Sequence, residues 1–136
     1  MIEVAWNKKF EVGHERIDFE HKIFLNLIRD ASRLPELGVS RERVIRHLDE
    51  VGKYAVFHFT SEENIMFDVS YPDIENHKQE HARLIALFDE RTHQYREGQI
   101  GLDEVVAFLF EWFALHTTQV DTRLAGFIAG GTIEGE

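Results

Sequence analysis

Residues 58–81 read "HFTSEENIMFDVSYPDIENHKQEH": three histidines and six carboxylates within twenty-four residues, with a Tyr-Pro near the middle. His58 and Glu62 stand four apart before the proline, and His77 and His81 four apart after it. Residues four apart on an α-helix project from nearly the same side, about 40° apart at 3.6 residues per turn. Each pair therefore aims at one point from its own helix, and the proline marks the break between the two helices.

Outward from this stretch, apolar periodicity predicts four helices. The first is expected to open at Asp18 as N-cap and to carry Ile17, His21, Phe24, Ile28 and Ala31 on one stripe before "RLPELG" breaks it. The second starts near Ser40 and runs Val44, Leu48, Val51, Ala55, His58, Glu62, Ile65 to about Asp68. Pro72 suits the first turn of the third, whose stripe is Ile74, His77, His81, Leu84, Phe88 and Tyr95, with Gly98 as C-cap. The fourth runs from about Leu102 through Val106, Leu109, Phe113 and His116. Short connections between long helices favour antiparallel neighbours. The expected fold class is all-α, an up-down-up-down antiparallel four-helix bundle. One domain spans 1–136, with residues 1–17 as an N-terminal arm anchored by Trp6 and Phe10 and residues 129–136 as a flexible tail.

Composition narrows the function. The chain has 136 residues, a formal net charge of -10 and a pI near 5.2, which argues against a surface that tracks phosphates. No nucleic-acid partner is expected. The longest apolar runs, such as Val105 to Phe110, are far shorter than the roughly 18 residues that cross a bilayer, and the opening "MIEVAWNKKF" has no apolar signal core. No membrane insertion is expected, and the expected compartment is the cytoplasm. The absence of cysteine excludes disulfides, iron–sulfur clusters and thiolate zinc. Any metal is held by histidine, carboxylate and water.

Five histidines, His21, His58, His77, His81 and His116, fall on core-facing positions with Glu62, whereas His14 lies in the arm and His47 and His93 fall off the stripes. One histidine on an apolar face is more often a satisfied core residue than a metal ligand. Depth along the bundle separates the two readings. At 1.5 Å per residue, all five sit within roughly 5–18 Å of the ends of their helices, and in an up-down bundle those four ends coincide. Asp121 adds a hint, because the later apolar residues Leu124 and Ile128 keep step with it and not with Val120. A five-residue step turns a regular helix about 140° away, so His116 and Asp121 converge only through a π-type bulge. Five imidazoles and two carboxylates are too many for one tetrahedral zinc and too nitrogen-rich for calcium or magnesium. Two ions sharing carboxylates fit better, iron first and manganese as its rival.

These segments, with "VGHERIDFEH" and "HTTQVD", resemble the bacterial hemerythrins from about Trp6 to Ile128. The ordered set H, HxxxE, HxxxH, HxxxxD carries the likeness. The resemblance implies a cofactor of two iron ions: His77, His81 and His116 on one, His21 and His58 on the other, with Glu62, Asp121 and a solvent oxygen atom bridging. It further implies that the second iron is one ligand short and binds dioxygen reversibly there, as a carrier, a store or an oxygen-sensing domain. Phe24, Phe59, Trp112, Phe113 and Thr117 are the candidate dioxygen pocket. Thr117 departs from the isoleucine that many relatives carry after this histidine, and its hydroxyl is expected to wet the pocket. Glu20, where glutamine is frequent, is expected to matter less. Rival readings are a diiron oxidoreductase (peroxidase, ferroxidase or nitric-oxide scavenger), a signalling input module with a signalling or oxygen-consuming protein partner, and a bundle that uses metal only for stability.

Overall fold

The computed structural model describes residues 3–130. Four helical rods form the expected up-down-up-down bundle: α1 Glu15–Arg33, α2 Arg41–Asp68, α3 Ile74–Arg96, and a fourth built from α4 Leu102–Leu115, a π turn His116–Asp121 and α5 Thr122–Ile128. Each rod packs on the two beside it in the cyclic order α1, α2, α3, α4. Among the described residues, no helix is long and apolar enough to cross a membrane.

Local chemistry sets the boundaries, and two differ from expectation. α1 begins a turn before Asp18, because His14 Nδ1 accepts the Ile17 N–H (3.2 Å) and caps the helix itself. The Asp18 carboxylate instead accepts the Val12 and Gly13 N–H groups (2.8 and 3.1 Å), fastening the arm to the helix start. Residues 15–17 of the expected arm are therefore helical. Pro72 lies outside α3, which opens at Ile74 after Asp73. α2 closes with Ser70 in the left-handed region (φ 54°), so that Ser70 and Tyr71 donate to the carbonyls of Phe67 and Met66. That reversal reaches through Pro72 and Asp73 and delays α3 by a residue or two. Gly98 ends α3 as expected, with φ 74° and bonds from Gly98 and Gln99 to Tyr95 and Gln94.

The arm holds through Phe10, which is buried edge-on against Phe113 (5.1 Å), and through half-buried Trp6 beside it (5.5 Å). The expected tail lies, beyond Gly130, outside the described residues. The apolar core comes in two parts. A large one includes Phe24, Ile28, Leu48, Val51, Leu84, Leu109 and Phe113; a small one joins Ile17, Met66, Tyr71 and Leu124. The polar residues of the sequence pattern lie between them along the rods. Water is thereby kept off their charged and hydrogen-bonding groups from both ends.

Candidate metal centre

Each rod delivers donors to one layer. α1 supplies His21, α2 supplies His58 and Glu62, α3 supplies His77 and His81, and the π turn supplies His116 and Asp121. All seven are buried, with Glu62 and Asp121 wholly inaccessible. The π turn makes the last pair possible: the Thr122 N–H reaches back five residues to the Thr117 carbonyl, so one extra residue fits into the turn. Asp121 then faces the same interior as His116, with Oδ1 3.1 Å from His116 Nε2. The slip in the apolar register is this bulge.

The donors fall into two groups that share both carboxylates. Glu62, His77, His81, His116 and Asp121 form one, and His21, His58, Glu62 and Asp121 the other. Nε2 atoms surround the carboxylate oxygens: His77 to Glu62 Oε1 at 2.6 Å, His81 to the same atom at 3.0 Å, His77 to Asp121 Oδ1 at 3.0 Å, His21 to Asp121 Oδ2 at 3.0 Å and His58 to Glu62 Oε2 at 3.3 Å. Several of these contacts lack hydrogen-bond alignment. Nε2 of His77 and His116, Oε2 of Glu62 and both oxygens of Asp121 are buried without a hydrogen-bond partner among the described residues. Short spacing with the wrong angles for hydrogen bonds is what lone pairs aimed at common points between them produce. Two donors at right angles around an ion at roughly 2.1 Å stand about 3.0 Å apart, so the spacing fits cations seated among them. The donor set, nitrogen with carboxylate and no sulfur, fits a pair of iron ions and excludes a calcium or magnesium preference.

Electrostatics agree. Burial acts to lower the histidines, yet the close carboxylates of Glu20, Glu62 and Asp121 outweigh it. His58 is raised to about 10 by Glu20 and Glu62, His77 to about 10 by Asp121 and Glu62, and His116 to about 8 by Asp121 and Glu62. Burial would raise Glu62, but four imidazoles hold it well below the carboxylate range; Asp121 is likewise lowered by His116 and His21 against burial and Glu62. The layer demands positive charge, as protons or as metal.

Two carboxylates outside the shared layer were missed or undervalued in the sequence. Glu20 is 5 % exposed and not incidental. Its Oε1 accepts from His58 Nδ1–H (2.7 Å), and its Oε2 accepts from Ser61 Oγ–H and Arg16 Nε–H (both 3.0 Å). Burial would raise it, but those donors keep it below its ordinary value. Glu63 Oε2 accepts from His81 Nδ1–H at 2.8 Å. Both sit one residue from a core position, about 100° around the helix, where stripe reading stops. The signal that finds them is the tendency of an imidazole placed to hold a metal to have an acceptor on its far nitrogen, which His58 and His81 have here and buried His21, His77 and His116 do not among the described residues. His47 is also corrected: it is buried, and its Nε2–H donates to the Leu27 carbonyl (2.8 Å), as a satisfied core histidine does. His93 is exposed.

Of the expected pocket residues, Phe24 packs on His58 (6.3 Å), Phe113 on His21 (5.6 Å), and Phe59 stacks flat on His81 (4.0 Å, 8°). Thr117 is buried. Trp112 stacks on His116 (4.3 Å, 14°) and lines an outer groove with Leu115 and Arg83, so it stands against the three-histidine half and not the two-histidine half.

Comparison with known proteins follows the same layer. Residues 12–128 match the Hemerythrin HHE cation binding domain. The chain is 27% identical to a myohemerythrin from Theromyzon tessulatum, covering 89% of this chain and 90% of that one. It is 26% identical to a bacteriohemerythrin from Stenotrophomonas maltophilia (92% and 81%) and 25% identical to one from Clostridium acetobutylicum (86% and 95%). The crystal structure of a wild-type hemerythrin superposes with a TM-score of 0.76 at 23% identity, covering 89% of this chain and 94% of that one. With the match spanning the arm's end through α5, and so every residue of the polar layer, the chain belongs to the hemerythrin family.

Proposed function

We propose that this protein binds dioxygen reversibly at a non-haem diiron centre. The observation that carries the reading is the pair of donor groups that share Glu62 and Asp121 but differ in number, three histidines in one and two in the other. An iron pair held there would supply two electrons, and the two-histidine group, with fewer protein donors, would leave room for a small ligand. The ligands we assign are His77, His81 and His116 for one ion, His21 and His58 for the other, and Glu62 and Asp121 for both.

The chain's own residues do the rest. Glu20 holds the His58 ring with Nε2 turned inward, and Glu63 does the same for His81. Phe24 and Phe113 wall the two-histidine side and exclude water, which protects a reduced centre from protons and displacement. Neutral imidazoles donate less negative charge than the carboxylates of ferritin-like sites, which favours release of oxygen over its cleavage. Thr117, buried directly after His116, puts a polar residue where an apolar wall would protect the centre, and that favours a second reading, a diiron oxidoreductase in which oxygen is consumed. An absorption spectrum decides between them. The anaerobically iron-loaded protein should gain a visible band on admission of oxygen and lose it on purging with argon; steady oxygen consumption under a reductant, with no band that reverses, would favour the oxidoreductase.

A further inference from the structure

Glu20 is the best-satisfied carboxylate among the described residues, and it belongs neither to the shared ligand layer nor to the pocket. It accepts three hydrogen bonds through its carboxylate, and its backbone carbonyl accepts a fourth from Tyr54 Oη–H at 3.1 Å. Its side chain is 7 % exposed, against 25 % for Glu63, the corresponding residue behind His81. Water therefore screens Glu63 more, and the Glu20 charge acts on its imidazole through a poorer dielectric. The two halves of the centre are thus unequal in two ways: the half with fewer histidines has the more strongly anchored anion behind it. Glu20 also faces outward, since Arg16, 61 % exposed, grips the oxygen not used by His58.

We propose that Glu20 is a positioning residue that sets the redox balance of the two-histidine half: it fixes the His58 ring and places a negative charge behind it, favouring the oxidised ions, while Arg16 at the surface tempers that charge. The inference rests on the diiron assignment. A carboxylate hydrogen-bonded to the far nitrogen makes the imidazole a stronger electron donor, and the higher positive charge of ferric ions gains more from it than the lower charge of ferrous ions. The chain Arg16–Glu20–His58 is therefore an electrostatic line from solvent to the centre, with opposite charges at its two adjustable positions.

Opposite signs make the test specific. Glu20→Gln keeps the shape and an acceptor for His58 but removes the charge, and charged hydrogen bonds are about twice as strong as neutral ones. At a fixed ambient potential, mediated redox titration of the iron-loaded variant should show the reduced-to-oxidised ratio raised about five- to tenfold over wild type. Arg16→Gln should move the ratio the other way, by about twofold, because its exposed charge is screened. Iron content and melting temperature should stay near wild type in the Arg16 variant. If both variants bind two irons and neither ratio moves, or both move in one direction, Glu20 serves packing alone and the proposal is overturned. If the wild-type chain takes up no iron, the diiron assignment and this proposal fall together.

Discussion

Removal of Glu62 probes the centre at its crossing point. Its two oxygens meet Nε2 of His77 at 2.6 Å, His81 at 3.0 Å and His58 at 3.3 Å, with His21 and His116 at 3.9 Å. In Glu62→Ala each of these imidazoles keeps its place in a dry layer between two apolar clusters and loses the carboxylate they share, retaining only Asp121 beside His21, His77 and His116, Glu20 beside His58 and Glu63 beside His81. Deleting one partner of a buried charged pair costs about 3–5 kcal/mol, because the other is left uncompensated. For a chain of this size each kcal/mol lowers the melting temperature by roughly 3–5 °C, so the metal-free variant should melt about 10–20 °C below metal-free wild type. Glu62 also belongs to both donor groups, so the variant should lose both ions, whereas His81→Ala, in one group only, should spare the two-histidine half. Thermal unfolding by circular dichroism and metal analysis after desalting read the two effects. A variant that keeps two metals, or melts within about 2 °C of wild type when metal-free, would show that Glu62 is neither a shared ligand nor the anion that stabilises the layer.

Three further outcomes follow from the same geometry. The raised His58, His77 and His116 give the metal-free fold a stabilisation that is full below the unfolded value near 6.5 and is lost as pH rises through about 8 to 10; its melting temperature should fall across that window, while the metal-loaded protein's holds. Since ions displace those protons, metal uptake should acidify a weakly buffered solution, and calorimetry in buffers of different ionisation heat will count them. Thr117→Ile replaces a buried hydroxyl by methyl groups, and its oxygenated form, followed by stopped-flow absorption, should decay several-fold more slowly than wild type; equal decay would remove Thr117 from the account of water entry.

The bundle was legible because its rods follow one period over long runs, and because the short breaks at Pro35–Gly38 and Ser70–Asp73 carry strong turn chemistry. The π turn was legible for a subtler reason: Leu124 and Ile128 could not share a stripe with Phe113 unless one residue was absorbed between them. Helix starts were less so. Asp18 is a good N-cap by type, but its carboxylate is taken by the arm, and His14 can act as a cap only once the chain enters the helix from that arm. Periodicity sorts residues by face, so it gathers His21, His58, Glu62, His77, His81 and His116 and passes over Glu20 and Glu63, whose partners lie across a helix–helix seam. His47 misled in the opposite sense. It sits beside the stripe, yet the Leu27 carbonyl on α1 reaches it and lets it bury.

The claim on which the rest depends is that seven side chains hold two ions through two shared carboxylates. Iron analysis of the anaerobically reconstituted, desalted protein tests it most directly. Two irons for each chain are expected; one ion per chain, zinc retained in preference after iron loading, or no metal at all would rule out the shared-carboxylate pair.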